Sequence, residues 1–177
     1  AAASIPAAVR RAAPFGQRPE PAFPWSASAG VFVAPAPALG APGPELAVVA
    51  DASAGGQRHL RLRLRSRRGA PVGIVLIPPE AGVTSLAVAG HAVPPPSGGR
   101  SALPGGWRGV TVLTLPREGV EIDAVVAAGP PRIWRVLDRT YGLPALPAAA
   151  ALLGARPAAA SPGQDGDVTL VGGKVAL

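Results

Sequence analysis

The stretch HLRLRLRS, residues 59–66, alternates strictly between leucine and polar or basic side chains. Successive side chains of a β-strand point to opposite faces, so this stretch predicts a strand with one buried and one exposed face. The predicted core residues are Leu60, Leu62 and Leu64, and the predicted outward residues are His59, Arg61, Arg63 and Arg65.

Six further short runs are β-branched or alternating, and Gly and Pro clusters separate them. They are ELAVVAD (45–51), VGIVLI (72–77), VTSLAVAG (83–90), GVTVLTL (109–115), VEIDAVVA (120–127) and RIWRVLD (132–138). The run VGIVLI is apolar on both faces, which is typical of a central strand. The further core residues predicted from these runs are Ile74, Leu76, Val112 and Ile122. Many short strands with frequent turns predict an all-β domain, an antiparallel β-sandwich.

The region after Pro144 predicts less regular structure. The segment ALPAAAALLGARP, residues 145–157, has room only for a short helix near the C-terminus, capped by Gly154 and ended before Pro157. A last strand is expected at Val168–Val171. The β-sandwich domain is therefore predicted to span residues 45–177.

Residues 1–44 differ in composition, because prolines recur every few positions. Proline excludes helix interiors and central strands, so this region predicts a Pro/Ala-rich linker or strap, with a possible edge strand at Gly30–Val33. The chain also begins without Met or a leader-like apolar stretch, from which we expect that Ala1 lies within a longer polypeptide.

Several kinds of catalytic and metal site are disfavoured by the residues available. The chain has no Cys and two His, and neither His59 nor His91 has neighbours with metal-ligand spacing. No G-x-S-x-G elbow or phosphate-binding loop is present. We therefore expect a chain that is not an enzyme and binds no cofactor.

The net charge of +7 comes from arginines and a single lysine, Lys174. Basic charge permits weak attraction to anions, but the few aromatic residues are not interleaved with the basic ones as in RNA-binding modules. No apolar run approaches the roughly 20 residues that span a bilayer. We expect no nucleic-acid partner.

The outward arginines Arg61, Arg63 and Arg65, here called the arginine ladder, form the first candidate site, and Arg67 and Arg68 are expected to extend it. They could bind phosphate, a lipid headgroup or an acidic partner. The other interpretation is a solvated sheet face paired with acids from a neighbouring strand, for which Glu121 and Asp123 have the right alternation.

The second candidate is the motif Asp138-Arg139-Thr140-Tyr141-Gly142-Leu143-Pro144. Gly142 can adopt a positive φ, and Pro144 biases Leu143 away from the helical region, so a structural corner is predicted after a strand that ends at Leu137. Asp138 would accept hydrogen bonds from backbone amides or pair with an arginine while the Tyr141 ring packs on the sheet. The alternative is a binding pocket lined by Asp138, Arg139 and Tyr141.

Four stretches resemble the C-terminal domain of bacterial membrane-bound zinc peptidases related to the endoplasmic-reticulum metallopeptidase. They are Val136–Pro144, Ala155–Pro157, Pro162–Thr169, and Leu62–Ser66 with Arg68–Ala70; Gly106–Trp107 before a strand is also similar. The resemblance covers about residue 45 to the C-terminus.

The resemblance implies a non-catalytic accessory domain that orients the peptidase domain or recruits substrate. Its partners would be the peptidase and transmembrane parts of the same polypeptide, on the periplasmic or extracytoplasmic side of a bacterial inner membrane. Zinc would belong to the peptidase domain, and no ligand of that zinc maps onto this chain. The alternative is a stand-alone β module that uses the arginine ladder to bind a carbohydrate, a lipid headgroup or another anion.

Overall fold

The computed structural model describes residues 6–16, 18–21, 23, 30–35, 38–95, 103–158 and 167–177. The chain divides into two compact units. The first unit comprises Ala1–Gly40 and Tyr141–Thr169, and the second comprises Ala41–Thr140 and Leu170–Leu177.

The fold is mainly β, as the sequence predicts. The strands of the described residues are β1 Glu45–Ala54, β2 Gln57–Arg65, β3 Val72–Ile77, β4 Ser85–Val88, β5 His91–Ala92, β6 Arg108–Val112, β7 Val120–Ala127, β8 Ile133–Tyr141 and β9 Val168–Ala176. The helices are α1 Ala7–Ala12 and α2 Pro147–Gly154, with short 3₁₀ turns at Pro79–Ala81 and Pro104–Gly106.

The strands form two antiparallel sheets. The first sheet has the order β1-β2-β7-β4-β5, and the second has the order β6-β3-β8-β9. In the first sheet β2 pairs with both β1 and β7, so the strand with the strictest alternation is central. In the second sheet β3 lies between β6 and β8, as expected for a strand that is apolar on both faces.

One hydrophobic core joins the inner faces of the two sheets. Leu60, Leu62 and Leu64 contribute from β2, and all three are at most 2% exposed. Trp134 and Val136 contribute from β8 and belong to the same cluster. The chain is therefore a β-sandwich, and the inward and outward assignment of β2 is confirmed.

The other predicted core residues are buried to different degrees. Leu76 and Ile122 are buried, whereas Ile74 and Val112 are half-buried. Ile74 alternates with Gly73 and Val75, and Gly73 lies over Leu64: a Cβ on Gly73 would come within 2.8 Å of the Leu64 Cδ2 atom. The inner face of β3 thus carries Gly73 and Val75, which places Ile74 on the outer face.

The run Val83–Ala89 followed by Gly90-His91 predicts a hairpin whose turn needs Gly90, and this hairpin is present. Ala89 and Gly90 connect β4 to β5, and both have positive φ, 49° and 77°. Two consecutive positive φ angles are typical of a tight hairpin turn, and Gly90 adopts this conformation without steric cost.

Several element boundaries differ from prediction, most of all at the ends of β8 and β9. β8 continues to Tyr141 instead of ending at Leu137, and β9 runs to Ala176 instead of Val171. The polar residues Asp138, Arg139 and Thr140 at the end of β8 suggested a turn, but they continue the strand, with Asp138 on its buried face. The corner predicted at residue 138 therefore begins at Gly142, where φ is 88°.

The first unit contains both helices. The predicted helix near the C-terminus is α2, which has Pro147 in its first turn and Gly154 as its last residue. The expectation of no helix among residues 1–44 is wrong, because Ala7–Ala12 falls between prolines and forms α1 after Pro6. The possible edge strand at Gly30–Val33 is reduced to one isolated bridge between Val31 and Glu20.

We expect Leu62→Ala to destabilise the sandwich strongly, because Leu62 is 0% exposed and its loss leaves a cavity between the sheets. Such truncations cost about 2–5 kcal/mol. Urea unfolding measures the effect, and Leu113→Ala is the matched control because Leu113 is 65% exposed. Equal midpoints for Leu62→Ala and the parent chain would contradict the inward assignment.

Candidate functional site

Four polar residues from the β2–β3 connection and β8 form a hydrogen-bonded group, here called the Asp138 cluster: Ser66, Arg68, Asp138 and Thr140. The Arg68 Nε atom donates to the Asp138 Oδ1 atom at 2.8 Å, and its Nη1 atom donates to the Thr140 hydroxyl at 2.9 Å. The Ser66 hydroxyl donates to the other carboxylate oxygen, Oδ2. Both oxygens of Asp138 therefore have a donor.

The alternation of β8 explains how a carboxylate reaches this position. Trp134 and Val136 point into the sandwich, and Asp138 is the next residue on the same face. Asp138 is 0% exposed. Its neighbour across the ladder is Gly73 of β3, which has no side chain to occupy the space at this end of the core.

Ser66 connects the carboxylate to the β2–β3 connection. Its hydroxyl oxygen accepts the backbone N–H of Ala70 at 2.9 Å and that of Arg68 at 3.3 Å while its proton goes to Asp138. Gly69 has a φ of 69°, which lets the chain close tightly around the hydroxyl. The cluster thus ties the chain leaving the first sheet to a strand of the second.

The sequence pattern places Arg68 on the outer face of the sheet and not in this cluster. Arg67 and Arg68 were expected to extend the arginine ladder, and for Arg68 this is wrong: its side chain is 16% exposed and forms the ion pair with Asp138. The alternation of β2 stops at Arg65, so residues beyond it do not follow the face of the strand. The break in the strand pattern at Gly69 was the available signal for Arg68. Ser66 and Thr140 lie inside stretches that the sequence analysis singles out, but no pattern there indicates their hydrogen bonds to Asp138 and Arg68.

Asp138 fits the corner interpretation better than the pocket interpretation. The expected pairing of Asp138 with an arginine is present, and a fully buried carboxylate cannot line a solvent-filled pocket. Arg139 is half-buried, and Tyr141 is 63% exposed, which is more than expected for a residue whose ring packs on the sheet.

The remaining motif residues organise the first unit. The Gly142 N–H donates to the Asp167 carbonyl at 2.7 Å, and the Thr169 hydroxyl donates to the Gly142 carbonyl at 2.7 Å. Arg156 and Asp167 form an ion pair, whose hydrogen bond raises the pKa of Arg156. Pro144 precedes α2 and accepts the Leu146 N–H. The sequence Gln164-Asp165-Gly166-Asp167 predicts an acidic turn, of which residues 164–166 lie outside the described residues.

The arginine ladder lies on the outer face of the first sheet, where it meets acids of β7. Arg61 pairs with Asp123 at 2.9 Å and Arg63 pairs with Glu121 at 3.0 Å, each with the residue directly opposite in the register. The hydrogen bond that Arg61 donates to Asp123 and the negative charges of Asp123 and Glu121 raise the pKa of Arg61. Arg65 has no ion-pair partner in the part of the chain that the structure describes.

A cleft of about 390 Å³ lies over this face. His59, Arg61 and Asp123 contribute its polar groups, and Ala50 and Ala87 are among the small residues that form its floor. His91 lines a different cleft beside Val93 and Val110, so the two histidines are not brought together.

No three His, Asp or Glu side chains within the described ranges lie close enough to bind one metal ion. Across the same ranges, no helix is long and apolar enough to cross a bilayer. No protein-family model matches the sequence, and no curated protein matches it either.

We expect Asp138→Ala to lower the free energy of unfolding by about 3–5 kcal/mol, because it leaves Arg68 and Ser66 without their acceptor. Asp123→Ala is the matched control: it removes an exposed ion pair of the kind that contributes about 0.2–1 kcal/mol. Chemical denaturation measures the free energy of unfolding of both variants. Similar decreases for the two variants would mean that the Asp138 cluster stabilises the fold no more than an exposed ion pair does.

Proposed function

We propose that this chain is a non-catalytic accessory domain of a membrane-anchored zinc peptidase, on the extracytoplasmic side of a bacterial inner membrane. Its role there is to orient the peptidase domain or to recruit substrate. The zinc ions and the catalytic residues of the parent protein would lie in the peptidase domain.

The observation that supports this proposal is that the polar residues of the resembling stretches form hydrogen bonds and ion pairs with one another. Ser66 and Arg68 belong to one stretch that resembles the peptidase tail, and Asp138 and Thr140 belong to another. Arg156 and Asp167 join two more such stretches. In each case the polar groups bind one another, as expected of residues that specify a fold and not a reaction.

A second candidate is a stand-alone module that binds an anion on the arginine ladder. The observation in its favour is Arg65, whose guanidinium lacks an ion-pair partner within the described residues. Against it, Arg61 and Arg63 already bind carboxylates, so an anion would have to compete with Asp123 and Glu121.

Reading the gene upstream of Ala1 separates the two candidates. The accessory-domain proposal expects a zinc-peptidase domain followed by transmembrane helices in the same reading frame. A start codon close to Ala1, or an upstream domain of another class, would contradict it and favour the stand-alone module.

The purified chain is expected to hydrolyse no peptide and to hold no stoichiometric zinc, because His59 and His91 line different clefts and tight structural zinc takes four protein ligands. Elemental analysis after dialysis, with a fluorogenic peptide assay, measures both properties. One equivalent of zinc that disappears in His59→Ala or His91→Ala would overturn the expectation.

A further inference from the structure

β1 is an edge strand of the first sheet with an open backbone. It pairs with β2 on one side, and no strand of the described residues pairs with its other side. Residues 48–54, the last seven of its ten residues, are all exposed. An edge strand presents unpaired backbone N–H and C=O groups, which can pair with a strand of another chain. This row of groups is therefore accessible along β1.

The other edge strands carry features that discourage such pairing, and residues 48–54 lack them. β5 has two residues, β9 contains Gly-Gly-Lys at 172–174, and β6 begins with Arg108. Short strands, glycines and basic side chains are common ways in which proteins protect a sheet edge. Residues 48–54 contain no Gly, Pro, Lys or Arg.

The inner face of β1 is also uncovered. Val48 lies directly opposite Leu62 in the register, so the two side chains are on the same face of the sheet. Leu62 is 0% exposed, whereas Val48 is 48% exposed. The second sheet therefore covers β2 and ends short of β1. A strand added beside β1 would extend the first sheet.

The hairpin turn after β1 fixes which of its backbone groups are free. Gly55 and Gly56, with φ angles of 58° and 77°, form a two-residue turn between the opposite residues Ala54 and Gln57. The pair that closes such a turn is hydrogen-bonded, and bonded and non-bonded pairs alternate along an antiparallel ladder. Alternate residues of β1, counted back from Ala54, therefore bond to β2.

The residues between these bonded positions direct their backbone groups to the open edge. They are Asp51 and Ser53. Residues 50–54 lie beyond the bulge in β1 and keep a regular register with β2. Asp51 is the one charged residue among them, and the Arg58 Nε atom of the same chain donates to its carboxylate at 2.9 Å. The charge of Asp51 is thus already balanced.

Residues 50–54 match a second copy of themselves when the two stretches run antiparallel and are centred on Ala52. In that register, alanine meets alanine on one face of the sheet. On the other face, Asp51 lies opposite Ser53 of the second copy, and the serine hydroxyl can donate to the carboxylate. Centring the pair one residue earlier would place Asp51 opposite Asp51 of the second copy, where like charges repel.

We propose that residues 50–54 form the contact of a homodimer, in which β1 pairs with β1 of a second copy and the two five-stranded sheets become one continuous sheet. Asp51 and Ser53 of each copy exchange backbone hydrogen bonds across a two-fold axis, the commonest symmetry of soluble oligomers. An unrelated strand would not share this match of aspartate with serine. The contact goes beyond the accessory-domain role and does not depend on it.

Sedimentation equilibrium of the full chain over a range of concentrations tests the proposal, and we expect a monomer–dimer equilibrium. Ser53→Pro should be monomeric at concentrations where the parent chain dimerises. Proline removes an N–H that points to the open edge, and the bonds to β2 stay intact. Ser53→Ala is the matched control, because it keeps that N–H and should still dimerise.

A charge at the same position tests the register. In Ser53→Asp, two acidic residues would oppose each other, and we expect the dissociation constant of the dimer to rise about fivefold or more. Ser53→Asn is the neutral control of similar size and should dimerise more tightly than Ser53→Asp. Circular dichroism confirms that each variant folds, and Ser53→Asp carries the test if Ser53→Pro does not fold.

A parent chain that stays monomeric at all concentrations would overturn the proposal. A dimer with the same dissociation constant in Ser53→Pro as in the parent chain, or in Ser53→Asp as in Ser53→Asn, would overturn it as well.

Discussion

The buried carboxylate of Asp138 is the constraint on which the ends of the two sheets depend. A charge with no exposure to water is costly to bury, and it is tolerated because Arg68 and Ser66 bind both of its oxygens. Those two residues lie in the connection that carries the chain from the first sheet to the second. The same hydrogen bonds that satisfy the charge thus fix where β3 begins relative to β2 and β8.

This internal use of polar groups determines what the surfaces can offer. On the first sheet, Arg61 and Arg63 bind acids of β7, so two of the three ladder cations are already neutralised. On the second sheet, Arg132, Arg135 and Glu80 line one cleft together with Trp107.

The sequence predicts the β-sandwich well because its runs are short, alternating and separated by turn residues; the face of β2 and the turn at Gly90 are correct. It predicts long-range pairing less well. Asp138 follows an apolar run and precedes turn-like residues, so a strand end was expected there, whereas the strand continues with its carboxylate inside. Arg68 lies 70 residues from its partner in the sequence, and alternation carries no information about such a contact. The six-residue helix α1 was missed because the frequent prolines of this region predicted extended chain, although seven proline-free residues separate Pro6 from Pro14.

A double-mutant cycle between Arg68 and Asp138 tests the central role of the Asp138 cluster most directly. The free energies of unfolding of the parent chain, Arg68→Met, Asp138→Asn and the double variant give the coupling between the two side chains. We predict a coupling of about 2–3 kcal/mol, at the upper end for groups in direct contact. The same cycle for Arg61 and Asp123 should give about 0.2–1 kcal/mol, as for exposed ion pairs. A coupling between Arg68 and Asp138 no larger than that of the exposed pair would contradict this account.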